Sequence, residues 1–269
     1  MTHPPKIRLA EVSKSFSVRS PDGAGASWTT AIEGVDLDIR HGEFLTMVGP
    51  SGSGKTTILD LLAGLSAPSS GTISVDGEPI HGPGKERGVV FQQYALLPWK
   101  TAEENIVFAL KATGHRRGED RRGIARRYLQ LVGLDGFEDR YPHELSGGMK
   151  QRVAIARSLS YEPDILLMDE PFGALDAQTR ELLQSELLTI WKRTGTTIVF
   201  ITHSVEEAVY LGQRVVVLRA KPGRVTAVVD VADQKPQPGV DLRSTPEFVE
   251  ARHRVWNLLH DQSPIGATP

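Results

Sequence analysis

Cysteine is absent from the 269 residues, which excludes disulfides and thiolate-ligated metals and fits a reducing compartment. No apolar run approaches the roughly 18 residues that a membrane-crossing helix needs. Any service to a membrane is therefore expected to go through a partner. Met1 to Lys6 carries no apolar segment, so no secretory leader is expected. Charge of one sign is also lacking: the net charge is -2, so there is no global pull toward nucleic acid or acidic lipid. Internal repeats and coiled-coil heptads are missing too. What remains is ordinary globular composition, 39% apolar and 24% charged, in a chain long enough to bury a sizeable core.

Short apolar runs, rich in β-branched residues, fall at Phe44–Val48, Gly88–Phe91, Ile165–Met168, Thr197–Ile201 and Val215–Leu218. Their length and composition suit buried strands of a parallel sheet. Helical patterns lie between them, at Thr56–Gly64 and Ala177–Arg193, and the alternation predicts an α/β fold with a mostly parallel sheet. Ile7–Val12, Ala31–Ile39 and Thr72–Val75 read as a small antiparallel β layer. Ser17–Thr30, rich in Ser, Gly and Ala, reads as a surface loop. Residues from about Thr101 to Leu159 carry helical patterns without strand runs, as a helical insertion between core strands would. After Pro222 the chain turns Pro-rich, with one short helix expected over Pro246–His260. The expected division is 1–224 as the main domain, with its insertion at about 101–159, and 225–269 as a short C-terminal extension.

Gly49-Pro50-Ser51-Gly52-Ser53-Gly54-Lys55-Thr56 fits G-x-x-x-x-G-K-[ST], the P-loop, followed by Thr57 and a helical pattern. Glycines let backbone N–H groups turn toward phosphate oxygens with no Cβ in the way. The start of the following helix adds partial positive charge. Lys55 is expected to reach the β- and γ-phosphates of ATP, and Thr56 to place its hydroxyl on Mg²⁺. A glycine-rich turn alone would match the pattern; the strand before it and the helix after it favour the phosphate reading. Asp169 and Glu170 end the apolar run Ile165–Met168. Asp169 is expected to hold Mg²⁺ through its water shell and Glu170 to polarise the attacking water as general base. Taken alone, the pair also fits a solvated acidic turn. His203 follows Thr197–Thr202 and reads either as a γ-phosphate bridge or as a structural histidine.

Leu145-Ser146-Gly147-Gly148-Met149-Lys150-Gln151-Arg152 resembles the signature motif of ABC ATPases. Ser-Gly-Gly opening a helix reads as a second anion site, with no lysine among those three residues. The resemblance covers roughly residues 6 to 222. It implies a P-loop NTPase (RecA-like) core, an antiparallel β subdomain, a helical insertion subdomain, and a head-to-tail homodimer sandwiching two ATP molecules. In that dimer Ser146, Gly147, Gly148, Gln151 and Asp176 would serve the ATP held by the other subunit. Gln92 resembles the Q-loop glutamine that senses Mg²⁺, with Gln93 the second choice. Gly173-Ala174-Leu175-Asp176 resembles the D-loop, and His203 the switch histidine. Phe16 sits where the family stacks an aromatic on adenine; core packing is the structural alternative, and Trp28 the alternative stacker. Met149 departs from the glutamine that many members carry there.

Leu96-Leu97-Pro98-Trp99 follows the Q-loop, where importers form part of the groove for the permease's coupling helix. Pro171–Arg180, Trp191 and Thr202–Ala208 resemble the nitrate/sulfonate/taurine importer group, and Gly82–Gly88 leans toward its taurine-type members. The resemblance implies a subunit at the cytoplasmic face of the membrane, working with permease subunits and, indirectly, a solute-binding protein. The rival reading is a soluble ABC ATPase acting on nucleic acid or the ribosome. Two expectations oppose it: the chain has neither a second cassette nor a long coiled-coil insertion, and its basic cluster (Arg116, Arg117, Arg121, Arg122, Arg126, Arg127) suits a solvated helix face.

Overall fold

A computed structural model describes residues 4–19, 26–114, 120–231 and 242–260. Its strands are β1 (Ile7–Arg19), β2 (Ala26–Ile39), β3 (Phe44–Val48), β4 (Ser70–Val75), β5 (Glu78–Pro79), β6 (Arg87–Val90), β7 (Ile165–Asp169), β8 (Thr197–Ile201), β9 (Arg214–Arg219) and β10 (Arg224–Asp230). Its helices are α1 (Lys55–Ala63), α2 (Ala102–Ala112), α3 (Arg121–Leu131), α4 (Gly147–Leu159), α5 (Ala177–Thr194), α6 (Val205–Leu211) and α7 (Pro246–His260). Two compact units divide the chain: Met1–Gly82 with Phe200–Pro269, and Pro83–Val199. None of the described helices is long and apolar enough to cross a membrane.

The first unit holds an antiparallel sheet in the order β2-β1-β4-β5. Ile7, Leu9 and Val12 of β1 are buried, whereas Arg8 faces solvent and meets Asp38 at 3.2 Å. The register pairs Ile7 with Ile39 and Ile7 with Val75, and shifts between Leu9 and Val12, where Glu11 takes φ 49°. Such a bulge keeps both stretches of apolar side chains on the core face. The expected loop at Ser17–Thr30 is corrected here. β1 continues to Arg19 and β2 begins at Ala26, pairing Phe16 with Thr29 and Ser17 with Trp28. The Ser, Gly and Ala content suggested a loop, but Trp28, Thr29 and Thr30 are good strand formers and the register carries them. Residues 20–25 lie outside the described set.

The same unit carries β9 between β10 and β3. β3 and β9 run parallel, Thr46 opposite Val215 and Val48 opposite Val217, and every residue of β3 is buried. Phe44 and Phe200 pack at 6.0 Å between ring centroids. The buried Glu43 carboxylate accepts from Arg214 Nε at 2.5 Å and Nη2 at 2.9 Å, and from the Arg40 N–H at 2.7 Å. These charge-assisted bonds satisfy a charge that burial would otherwise penalise. α7 closes the unit: Phe248 and Val255, both fully buried, join Val209, Val217 and Val229. Arg243, just before α7, bonds Glu206 at 3.0 Å and lies over the Tyr210 ring. The helix expected over Pro246–His260 spans those residues.

The second unit pairs β6 with β7 in parallel, Gly88 opposite Leu166 and Val90 opposite Met168. Its described elements between 101 and 159 are helices. Thr101 and Glu104 form a capping box at the start of α2. The nearly buried Glu103 draws Arg126 to 2.6 Å and Arg122 to 3.4 Å. The chain passes from this unit to the first within β8.

Phe248→Ala should remove about 3 kcal/mol of stability in urea unfolding, as large-to-small changes in a close-packed core do. Trp256→Ala, on the half-exposed face of the same helix, should cost clearly less; equal losses would mean α7 is not seated by its buried face.

Candidate nucleotide-binding site

In the first unit the buried strand β3 ends at Val48 and the chain turns through Gly49–Gly54 into α1. Gly54 caps the helix in the left-handed conformation, φ 82° and ψ 12°, and as a glycine it makes no side-chain cap hydrogen bond. A helix start holds N–H donors and partial positive charge that suit an anion. Gly52 is also left-handed, at φ 76°, with no atom near the position of a Cβ. The Lys55 ammonium lies across the loop, donating to the Gly49 carbonyl at 2.8 Å and the Pro50 carbonyl at 3.2 Å. Ser53 is fully buried and its Oγ has no hydrogen-bond partner. Thr56 and Thr57 occupy the first turn of α1. A cation, a helix start without a capping side chain at Gly54 and a glycine cradle together suit a polyphosphate.

The Thr202 N–H donates to the Met47 carbonyl at 3.1 Å. That bond sets the end of β8 beside the end of β3, so exposed His203 follows directly where the chain opens into the P-loop. Ser204 then caps α6, its hydroxyl accepting from the Glu207 N–H at 3.2 Å. Phe16 is 45% exposed and Trp28 71% exposed. Both rings therefore stand outside the core, and the core-packing alternative for Phe16 is not what the structure shows.

In the second unit, β7 ends at Asp169, and Glu170 follows at φ 42°. That left-handed conformation costs a non-glycine residue free energy, and such strain gathers at functional positions. Gln92, Gln93, Tyr94, His143, Lys150 and Asp169 line one groove of about 820 Å³. The structure thus brings Gln92 and Asp169 together, as two of the three residues expected to serve a metal. Ser146 opens α4 by accepting from the Met149 N–H at 3.3 Å. Ser146 and Gly147 face solvent. A Cβ on Gly147 would lie 3.2 Å from Tyr94 Oη, and one on Gly148 would lie 2.6 Å from Thr179 Cγ2. Asp176 caps α5, accepting from the Thr179 N–H at 3.0 Å, and this bond holds its carboxyl below the usual aspartate range.

Gln151 sits differently from its neighbours. It is fully buried, and neither atom of its amide has a hydrogen-bond partner. A direct contact with a nucleotide on another subunit, expected from the resemblance, does not match that placement.

Two residues escaped the sequence reading. Arg157, on α4, donates to the Ala95 carbonyl at 2.5 Å and the Tyr94 carbonyl at 3.2 Å. Desolvation lowers its pKa, so the carbonyls it bonds are what compensate the buried charge. Ala95 is left-handed, at φ 47°. Fully buried Asn105 holds the next stretch: its Oδ1 accepts from the Leu97 N–H at 2.8 Å, and its Nδ2 donates to the Lys100 carbonyl at 3.0 Å and the Thr101 carbonyl at 2.9 Å. The only signal in the sequence was a polar residue inside each apolar helical stretch.

Strand, glycine loop, inward lysine and uncapped helix define a P-loop nucleotide-binding protein. The ABC transporter family profile matches residues 32–173. An uncharacterised ABC transporter ATP-binding protein of Methanocaldococcus jannaschii is 51% identical over 96% of this chain and 92% of its own length. A nitrate import ATP-binding protein of Synechocystis is 48% identical over 85% of the chain and 88% of its own. A taurine import ATP-binding protein of Jannaschia is 43% identical over 95% and 94%. Among solved structures, a dimeric, post-hydrolysis ATP-binding cassette bound to ADP and Pi covers 83% of this chain and 98% of its own at TM-score 0.71 and 34% identity. The chain belongs to the ABC transporter family, as one of its ATP-binding ATPase subunits.

Arg157→Met should leave two carbonyls of a strained turn unpaired and destabilise the protein by about 2 kcal/mol. Limited proteolysis should show cleavage gained at residues 92–97. An unchanged proteolytic pattern would contradict the pinning role.

Proposed function

We propose that this chain energises an importer for a small anion or sulfonate such as taurine, an alkanesulfonate or nitrate. It would sit at the cytoplasmic face of the cell membrane, as a homodimer on permease subunits served by a solute-binding protein. One observation carries the dimer: the start of α4 at Ser146–Gly147 is exposed, as a second helix end facing the phosphates of another copy would be. The dimeric state of the related cassette supports it, and the nitrate and taurine relatives support the substrate class.

In this reading the Gly49–Thr57 cradle and Lys55 bind the phosphates of ATP, and Phe16, or Trp28 beside it in the sheet, stacks on the base. Ser146, Gly147, Gly148 and Asp176 meet the nucleotide held by the other subunit. Thr56, Asp169 and Gln92 would hold Mg²⁺, which supplies charge neutralisation at the β- and γ-phosphates. Among the described residues no group of three carboxylate or imidazole side chains forms a cage, and Mg²⁺ with its retained waters and phosphate oxygens does not require one. Glu170 accepts a proton from the attacking water, and His203 steadies the γ-phosphate. Closure of the dimer would move the Gln92–Trp99 segment with the permease seated on it. Residues 1–224 would form the motor and 225–269 an extension that adds α7. Against the nucleic-acid alternative, Arg122 and Arg126 pair with Glu103, and Arg127 with Glu162; Arg116 and Arg117 of the same cluster lie outside the described residues.

Glu170→Gln should keep ATP binding and lose about 100-fold or more in turnover, as removal of a general base does. Parental hydrolysis by this variant would rule out the assignment. For the substrate, ATPase of the reconstituted transporter should rise with one of taurine, an alkanesulfonate or nitrate plus its binding protein. Silence toward all three, with a stable permease complex, would discard the substrate class and keep the motor.

A further inference from the structure

Backbone of two neighbouring elements packs tightly against the P-loop. The turn between β9 and β10 reaches it at Gly223. Its N–H donates to the Ala31 carbonyl at 2.9 Å, and its carbonyl accepts from the Glu33 N–H at 2.9 Å. These two bonds make a one-residue parallel bridge to Ile32 of β2. A Cβ on Gly223 would overlap the Ser53 carbonyl and lie 2.8 Å from the Ala31 carbonyl. Both are backbone atoms, so no side-chain rotation relieves the clash. The same stretch of β2 closes on Gly54, whose Cβ would collide with Ile32 and lie 3.2 Å from the Ala31 carbonyl. A Cβ on Gly49 would lie 2.8 Å from the Leu218 carbonyl and 2.6 Å from the buried Ser53 hydroxyl.

We infer that Gly223 is a positioning residue for the phosphate loop. It locks the β9–β10 turn to β2 and sets the depth of Ser53, and with it the direction of the amides from Gly52 to Lys55. Because β2 also carries Trp28 and pairs with Phe16, one strand fixes the spacing between the phosphate cradle and the exposed aromatics. The Arg224 pair with Glu33, at 2.7 Å, is half-exposed and adds little. The bracket is made by backbone contact.

The inference rests on the P-loop binding ATP, so the test starts with the parental dimeric chain and its Lys55→Ala variant. Failure of the parent to bind ATP would refute the site itself. With a binding parent, Gly223→Ala should raise the Kd for ATP and for inorganic tripolyphosphate alike, by roughly ten- to a hundredfold, since a displacement near 1 Å is costly in a positioned site. Adenosine binding should be unchanged, which a loss of folding would not produce. Gly34→Ala is the control: Gly34 is left-handed, at φ 56°, so alanine strains β2 there, but nothing lies near its Cβ position; Gly223 is not left-handed, and only the close contacts oppose a Cβ on it. Parental affinity for tripolyphosphate in Gly223→Ala, or an equal loss in Gly34→Ala, would overturn the inference. If Gly223→Ala does not fold, amide exchange in the parent decides. ATP should slow exchange at Gly223 and Glu33 as well as in the loop, and unchanged rates at those two amides would overturn it.

Discussion

A loop that binds phosphate through its backbone must leave its N–H groups unbonded on one face while something else holds it still. Here close packing of neighbouring strands against the loop does the holding. Gly49, Gly54 and Gly223 each lack a Cβ where one would collide with Leu218, Ile32, Ala31 or Ser53. Lys55 bridges the loop from within, through the Gly49 and Pro50 carbonyls. The parallel pairing of β3 with β9 and the burial of every β3 residue give this arrangement a rigid base. Loosening any of these contacts would cost the pre-organisation that makes amide donors effective toward phosphate.

The second unit solves a related problem with side chains. The stretch after Gln92 must present Leu96, Leu97, Pro98 and Trp99 without a sheet or helix to fix it. Arg157 and Asn105 supply the missing hydrogen-bond partners from two different helices. Tyr94 Oη approaches Gly147 at the start of α4, and Arg157 belongs to that same helix. A shift of the 94–97 stretch therefore meets α4 at two places. These contacts tie the stretch leading to the exposed Trp99 to the helix that Ser146 opens.

Much of this was legible in the sequence because the relevant signals are local. β-branched runs marked β3, β7, β8 and β9, and the glycine-lysine spacing marked the loop before any strand pairing was known. The Ser17–Thr30 error shows the limit. Strand pairing is a non-local property, and the small residues there concealed a hairpin whose arms are fixed by their partner. Gly223 and Arg157 were invisible for the same reason: their partners lie far away in the chain. Asn105 bonds near neighbours, but the backbone groups it serves carry no residue-type signal. Gln151 illustrates the converse, since its place in a motif suggested a contact that its burial does not offer.

In the proposed dimer, the lysine-bearing cradle and the α4 start serve the same nucleotide from two different copies of the chain. Mixing Lys55→Ala with Ser146→Ala protein tests it most directly. Each variant alone should be nearly inactive. In a mixed dimer, one composite site regains an intact cradle from one copy and an intact α4 start from the other, so ATPase activity should reappear on mixing and scale with the mixed dimer formed. If the mixture stays as inactive as its parts while heterodimers demonstrably form, the two elements act within one copy and the account is wrong.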